Sequence, residues 1–79
     1  MTVGSASCMP LSMTERGHET TVVDVLAGRG LRQRLADMGV VPGAVLRVVS
    51  NAYGGPMIVA VRESRLILGR GMAHKVVVG

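Results

Sequence analysis

The side chains able to do chemistry are few and scattered through the 79 residues. Cys8 is the single cysteine, His18 and His74 are the two histidines, and Glu15, Glu19, Asp24, Asp37 and Glu63 are the five acids. General acid–base catalysis needs paired carboxylates, or a histidine with an orienting partner, within reach of one reacting atom. Nucleophilic catalysis needs a nucleophile beside its base. Neither arrangement is spelled out here, because the acids fall in turns and strand edges and Cys8 lies in a small, polar N-terminal segment. A closed transition-metal site takes three or four Cys, His, Asp or Glu ligands on a rigid frame, and no H-x-x-H pair is present. His18 is therefore expected in an exposed turn and His74 at a strand edge, with no metal, no cofactor and no catalytic role for either. The chain does not read as an enzyme.

Two glycine-flanked arginines, Gly28-Arg29-Gly30 and Gly69-Arg70-Gly71, invite comparison with phosphate cradles. Neither has the G-x-x-x-x-G-K-[ST] spacing that gathers backbone N–H groups and a lysine around phosphates, so both are expected to be turns. The charge balance is +4 overall. It is uneven: residues 1–28 sum to −2, and residues 29–79 set eight basic residues against Asp37 and Glu63 for +6. A basic half attracts an acidic protein face, an anionic membrane surface or nucleic acid. Single-strand binding by small barrels relies on stacked aromatics, and Tyr53 is the only aromatic residue. Nucleic acid is therefore not the favoured partner.

Positioning such a surface falls to a short helix inside a β-rich chain. Leu31, Leu35 and Met38 recur at i, i+4 and i+7, which places an apolar stripe toward a core and leaves Arg32, Arg34 and Asp37 in water over a helix at about residues 30–38. Gly39 falls where a left-handed residue ends such a helix, and Pro42-Gly43 sets the next turn. Strands are expected at Thr20–Leu26, Ala44–Ser50, Met57–Arg62, Arg65–Leu68 and His74–Val78, with Leu11 tucking onto the barrel. Fourteen valines, seven leucines and two isoleucines must fill the core without phenylalanine or tryptophan. The architecture predicted is mainly β, a small SH3-like barrel of about five strands with one inserted helix. Residues 1–8 are expected to form a flexible extension and residues 9–79 a single domain. One cysteine forms no internal disulfide, and no run reaches the length of a membrane span. Met1 to Pro10 has neither the basic start nor the apolar middle of a signal peptide. A cytoplasmic protein is expected.

Met9-Pro10-Leu11-Ser12, the segment from Leu31 to Gly43, the Gly54-Gly55-Pro56 turn, Arg65-Leu66-Ile67-Leu68 and Met72 to Val78 together resemble the FeoA family of ferrous-iron transport accessory proteins. The likeness covers about residues 9–78. It implies a cytoplasmic SH3-like module that assists FeoB, a large membrane permease with its own GTPase domain, where the module reaches it through the cytoplasm or as part of a membrane-associated assembly. A related module forms the C-terminal domain of iron-dependent repressors, so the alternative is a regulatory or nucleic-acid-binding barrel. The chain departs from the family in carrying Gly69-Arg70-Gly71 where charged helix formers are usual, which leaves a short helix before the last strand open.

Strand alternation adds a surface. If Met57, Val59 and Val61 point inward, then Ile58, Ala60 and Arg62 point outward, and Val45 and Ile67 join them. Val45, Ile58 and Ile67 are expected to form an exposed apolar patch with Arg47, Arg62 and Arg65 around it, of the kind that marks a protein contact or a homo-oligomer made through the strand face. With Arg29, Arg32 and Arg34 on the helix, these are the candidate partner-binding residues. The helix arginines are expected to steer a partner and to add little to folding.

Overall fold

The computed structural model describes residues 8–52 and 54–79. The extension expected over residues 1–8 lies outside the described residues except for Cys8, which is exposed, and Tyr53 lies outside them too. Valine-rich segments separated by glycine and proline turns form six antiparallel strands: β1 (Met9–Pro10), β2 (Glu19–Val25), β3 (Val45–Asn51), β4 (Met57–Val61), β5 (Ser64–Leu68) and β6 (Val76–Val78). A 3-10 turn (Leu11–Met13) follows β1, helix α1 (Arg29–Asp37) joins β2 to β3, and helix α2 (Arg70–His74) precedes β6. The strand order is β1-β6-β2-β3-β4-β5, an unclosed sheet curled around one core.

β2 makes the curl. Its first half pairs with β3 through Glu19–Thr21, and its second half pairs with β6 through Val22–Val25, with a register shift between Val22 and Asp24. A bulge at such a point bends the strand and increases its twist, so one strand serves two neighbours that diverge. A second shift between Val48 and Ser50 bends β3 toward β4.

The expected alternation holds where it was read. Leu46 and Val48 of β3 and Met57, Val59 and Val61 of β4 are buried, while Val45 and Arg47 are exposed. With Leu11, Leu35, Leu68, Val76 and Val78 they build a core of aliphatic side chains and one methionine. Burying each such side chain contributes roughly 1.5–3 kcal/mol against its exposed state, and that sum opposes the chain entropy of ordering a domain this small.

Three expectations are corrected. Among the described residues there are six strands against the five or so expected, because Met9–Pro10 pairs with Val77–Val78; two residues are too few to show a period. The last strand begins at Val76 and not at His74, because Arg70 to His74 complete a helical turn that Ala73 anchors in the core. Met38 does not complete the apolar stripe of α1. It caps the helix at 36% exposure, whereas Leu35 is fully buried and Leu31 half-buried.

α1 ends as its sequence requires. The Gly39 N–H donates to the Ala36 carbonyl at 2.9 Å and the Val40 N–H donates to the Leu35 carbonyl at 2.8 Å, the paired bonds of a Schellman motif. Gly39 holds φ +94 to make them, a left-handed conformation that costs a residue with a Cβ. Val40 and Leu35, the apolar pair that accompanies this motif, are both buried.

Candidate partner-binding surface

α1 presents its arginines differently from one another. Arg32 Nη1 donates to the Val25 carbonyl at 2.9 Å and stands 3.6 Å from Asp24 Oδ1, which itself accepts the Val25 N–H at 2.7 Å. Arg32 thus fastens the helix to β2 while half of its side chain stays in solvent. Arg29 and Arg34 are exposed and make no ion pair among the described residues. Asp37 accepts a hydrogen bond from Gln33 one turn earlier, at 2.9 Å.

Two grooves flank α1. The smaller, about 420 Å³, runs between the helix and the loop after it and is lined by Val25, Arg29, Arg32, Val40, Val41 and Pro42. The larger, about 970 Å³, lies on the other side of the Val41-Pro42 ridge and continues onto the outward face of the sheet, where Val45, Arg47, Ala60 and Arg62 line it.

The strand candidates are not one continuous patch. Ile58 and Ile67 are register partners on β4 and β5, Ile58 half-buried and Ile67 71% exposed. Val45, 52% exposed, sits in the larger groove. Between them runs a row in which Glu19 pairs with Arg47, Arg47 with Ala60 and Ala60 with Arg65. The arginines therefore divide the apolar residues as a stripe.

Two residues that hold this frame, Asn51 and Arg70, were not given that role from sequence, where Arg70 was read only as part of a glycine-flanked turn. Asn51, at the end of β3, donates through Nδ2 to the Thr14 carbonyl at 2.6 Å and to the Ser12 carbonyl at 3.2 Å. Its Oδ1 accepts from Arg70 Nη2 at 2.6 Å, and the same nitrogen donates to the Ala52 carbonyl at 2.6 Å. Arg70 Nη1 reaches the Ser12 carbonyl at 3.5 Å. The clamp ties the 3-10 segment, the end of β3 and the start of α2 together. No local signal in the sequence marks either residue for this role, because the carbonyls they meet are carried by distant segments.

Of the groups considered for chemistry, His18 lies 3.9 Å from Glu15 at the surface, and His74 Nδ1 lies 3.3 Å from Ser12 Oγ, on α2 instead of a strand edge. No group of three or more His, Cys, Asp or Glu side chains gathers among the described residues. Among the described residues no helix is long and apolar enough to cross a membrane.

The curled six-stranded antiparallel sheet with its two short helices places the described residues in the class of small, mainly β, SH3-like domains. The chain is a member of the FeoA family: the FeoA domain model matches residues 9–79. A protein of Methanocaldococcus jannaschii, whose name assigns it to Fe(2+) transport as transport protein A, is 39% identical over 69 residues, which are 87% of this chain and 83% of that one. A crystal structure described as an iron uptake regulatory protein, FeoA, superposes with a TM-score of 0.85 at 38% identity and covers 90% of this chain and 95% of its own. The zinc complex of Stenotrophomonas maltophilia FeoA, described as a prokaryotic SH3 domain protein, gives a TM-score of 0.73 at 31% identity, covering 90% and 89%.

Proposed function

We propose that this protein is a non-enzymatic, cytoplasmic accessory of ferrous-iron uptake that docks on the cytoplasmic part of a FeoB-like GTPase-permease. The observation that carries the reading is the family match across the whole described barrel, joined to relatives named for Fe(2+) transport and iron uptake. The surface supports a contact function: two grooves beside a basic helix and an exposed strand edge offer recognition. Arg29, Arg32 and Arg34 steer the encounter, and Val45, Ile58 and Ile67 supply apolar contact. An accessory that binds one conformation of a transporter tenfold more tightly than another shifts that equilibrium by about 1.4 kcal/mol.

The test is capture from detergent-solubilised membranes of the source cells on the immobilised protein, followed by mass spectrometry of what is retained. Retention of a large GTPase-permease supports the reading, and its loss with Arg29→Glu combined with Arg34→Glu assigns the helix face. Capture of no such transporter, with soluble regulators or nucleic acid retained instead, overturns it.

A further inference from the structure

We infer that the outer edge of β5 is a docking site for an extended, acidic segment of a partner, which adds to the sheet as a further strand. β5 is paired on one side alone: β4 is its only neighbour among the described residues, and it ends the strand order. The connection to β4 has two residues, Arg62 and Glu63, with Arg62 at φ +56, and the closing pair is Val61 with Ser64. In a two-residue hairpin the closing pair is hydrogen-bonded, and antiparallel pairs then alternate. Val59 with Leu66 and Met57 with Leu68 are therefore the next bonded pairs. It follows that Arg65 and Ile67 turn their backbone N–H and C=O groups away from β4, toward the open edge. These four groups form a ready template for an incoming strand.

The side chains on that edge specify what it accepts. Arg65 and Ile67 both face outward and both are exposed, Ile67 at 71%. Each ends a cross-strand row: Ser50, Ile58, Ile67 in one and Glu19, Arg47, Ala60, Arg65 in the other. Within the second row Glu19 lies opposite Arg47, whereas Arg65 faces only Ala60 and makes no ion pair among the described residues. An added antiparallel strand sets one residue opposite Ile67 and, two positions later, one opposite Arg65, both on the outward face. Complementarity then calls for the order apolar-x-acidic.

A second copy of this chain fits the edge poorly. When the five residues of β5 pair antiparallel with the same strand of another copy, Arg65 lies opposite Ile67 and no acidic side chain faces it. Opposite charge favours a different protein, and the inference rests on the reading of this chain as a docking module.

The experiment uses the full chain, isotope-labelled for amide NMR, and a blocked ten-residue peptide of alternating threonine and valine with one glutamate two positions after a central valine. Expected are shifts and hydrogen-exchange protection at the Arg65 and Ile67 amides. Binding should be about five- to tenfold weaker at low salt when lysine replaces the glutamate, and lost when alternate peptide nitrogens are methylated. Arg65→Glu should invert the preference between the two peptides. Ile67→Pro removes one outward N–H at an edge position that tolerates proline and should abolish binding with the circular-dichroism spectrum unchanged; if that variant does not fold, Arg65→Glu decides the matter. Equal binding of the glutamate, lysine and methylated peptides, shifts confined to α1, or a dimer in sedimentation that protects the β5 amides would overturn the proposal. Transporter capture that survives Arg65→Glu would refute the edge as the contact and leave the docking function standing, whereas β5 that takes the peptide in a protein capturing no transporter would do the reverse.

Discussion

Replacing Asn51 by alanine tests whether a polar clamp, and not only the aliphatic core, holds this barrel together. The amide of Asn51 serves the Ser12 and Thr14 carbonyls and accepts from Arg70 at 2.6 Å. Its removal strands the Thr14 carbonyl, leaves the Ser12 carbonyl with only the longer 3.5 Å contact to Arg70, and takes one acceptor from the guanidinium. A hydrogen bond contributes roughly 1 kcal/mol net, one to a charged group about 1.5–3 kcal/mol, and a stranded buried group costs more than a solvated one. Asn51 is half-buried and Arg70 retains the Ala52 carbonyl at 2.6 Å, so water replaces part of the loss. An expected cost of about 2–3 kcal/mol follows. At roughly 0.05–0.15 kcal/mol per residue the whole domain has about 4–12 kcal/mol of stability, so the variant should lose about 10–20 °C in melting temperature. Urea unfolding of the parent, Asn51→Ala, Arg70→Ala and the double variant closes a thermodynamic cycle. The two side chains share one contact, and their coupling should lie at about 1–2 kcal/mol, with the double variant less destabilised than the sum of the singles. Additivity within 0.3 kcal/mol, or an Asn51→Ala variant that melts with the parent, would refute the clamp as a stabilising unit.

Leu35→Ala should cost about 2–5 kcal/mol, because Leu35 is fully buried and is the one core side chain that α1 contributes; an unchanged urea midpoint would show that the helix does not seal the core. Gly39→Ala should cost about 1–2 kcal/mol, since its φ is +94 and an added Cβ would stand 3.1 Å from Val61 Cγ1; calorimetry measures it, and a stabilised variant would contradict the left-handed cap. Arg32→Gln should cost about 1 kcal/mol through the lost bond to Val25, and Arg34→Gln should stay within about 0.5 kcal/mol. Equal melting of those two would remove the structural role given to Arg32 and restore the expectation that both arginines serve the partner alone.

How far the residues determined this protein can be followed element by element. α1 and its stop were legible because they depend on neighbours within one or two turns: the spacing of Leu31 and Leu35, and a glycine where the Schellman bonds demand positive φ. The faces of β3 and β4 were legible because a half-buried strand alternates with period two, and the burial of Leu46, Val48, Met57, Val59 and Val61 follows it. Met38 shows the limit of the local reading, since periodicity does not say where the core stops along a helix axis.

Only the tertiary structure decided the long-range pairings. β1 exists because Met9 and Pro10 meet β6 at the far end of the chain, and α2 packs where Ala73 enters the core. Asn51 was unremarkable in sequence, Arg70 drew notice only as part of a glycine-flanked turn, and Arg32 read as one solvent-facing arginine among several. Each acquires its role from backbone carbonyls that other segments carry into reach. The division of the apolar candidates has the same origin: the register of β2, β3, β4 and β5 places Arg47, Ala60 and Arg65 between Val45 and the Ile58–Ile67 pair. Side-chain period is a property of one strand and is written in its residues, whereas register and carbonyl placement are properties of two segments at once, fixed only when the core closes.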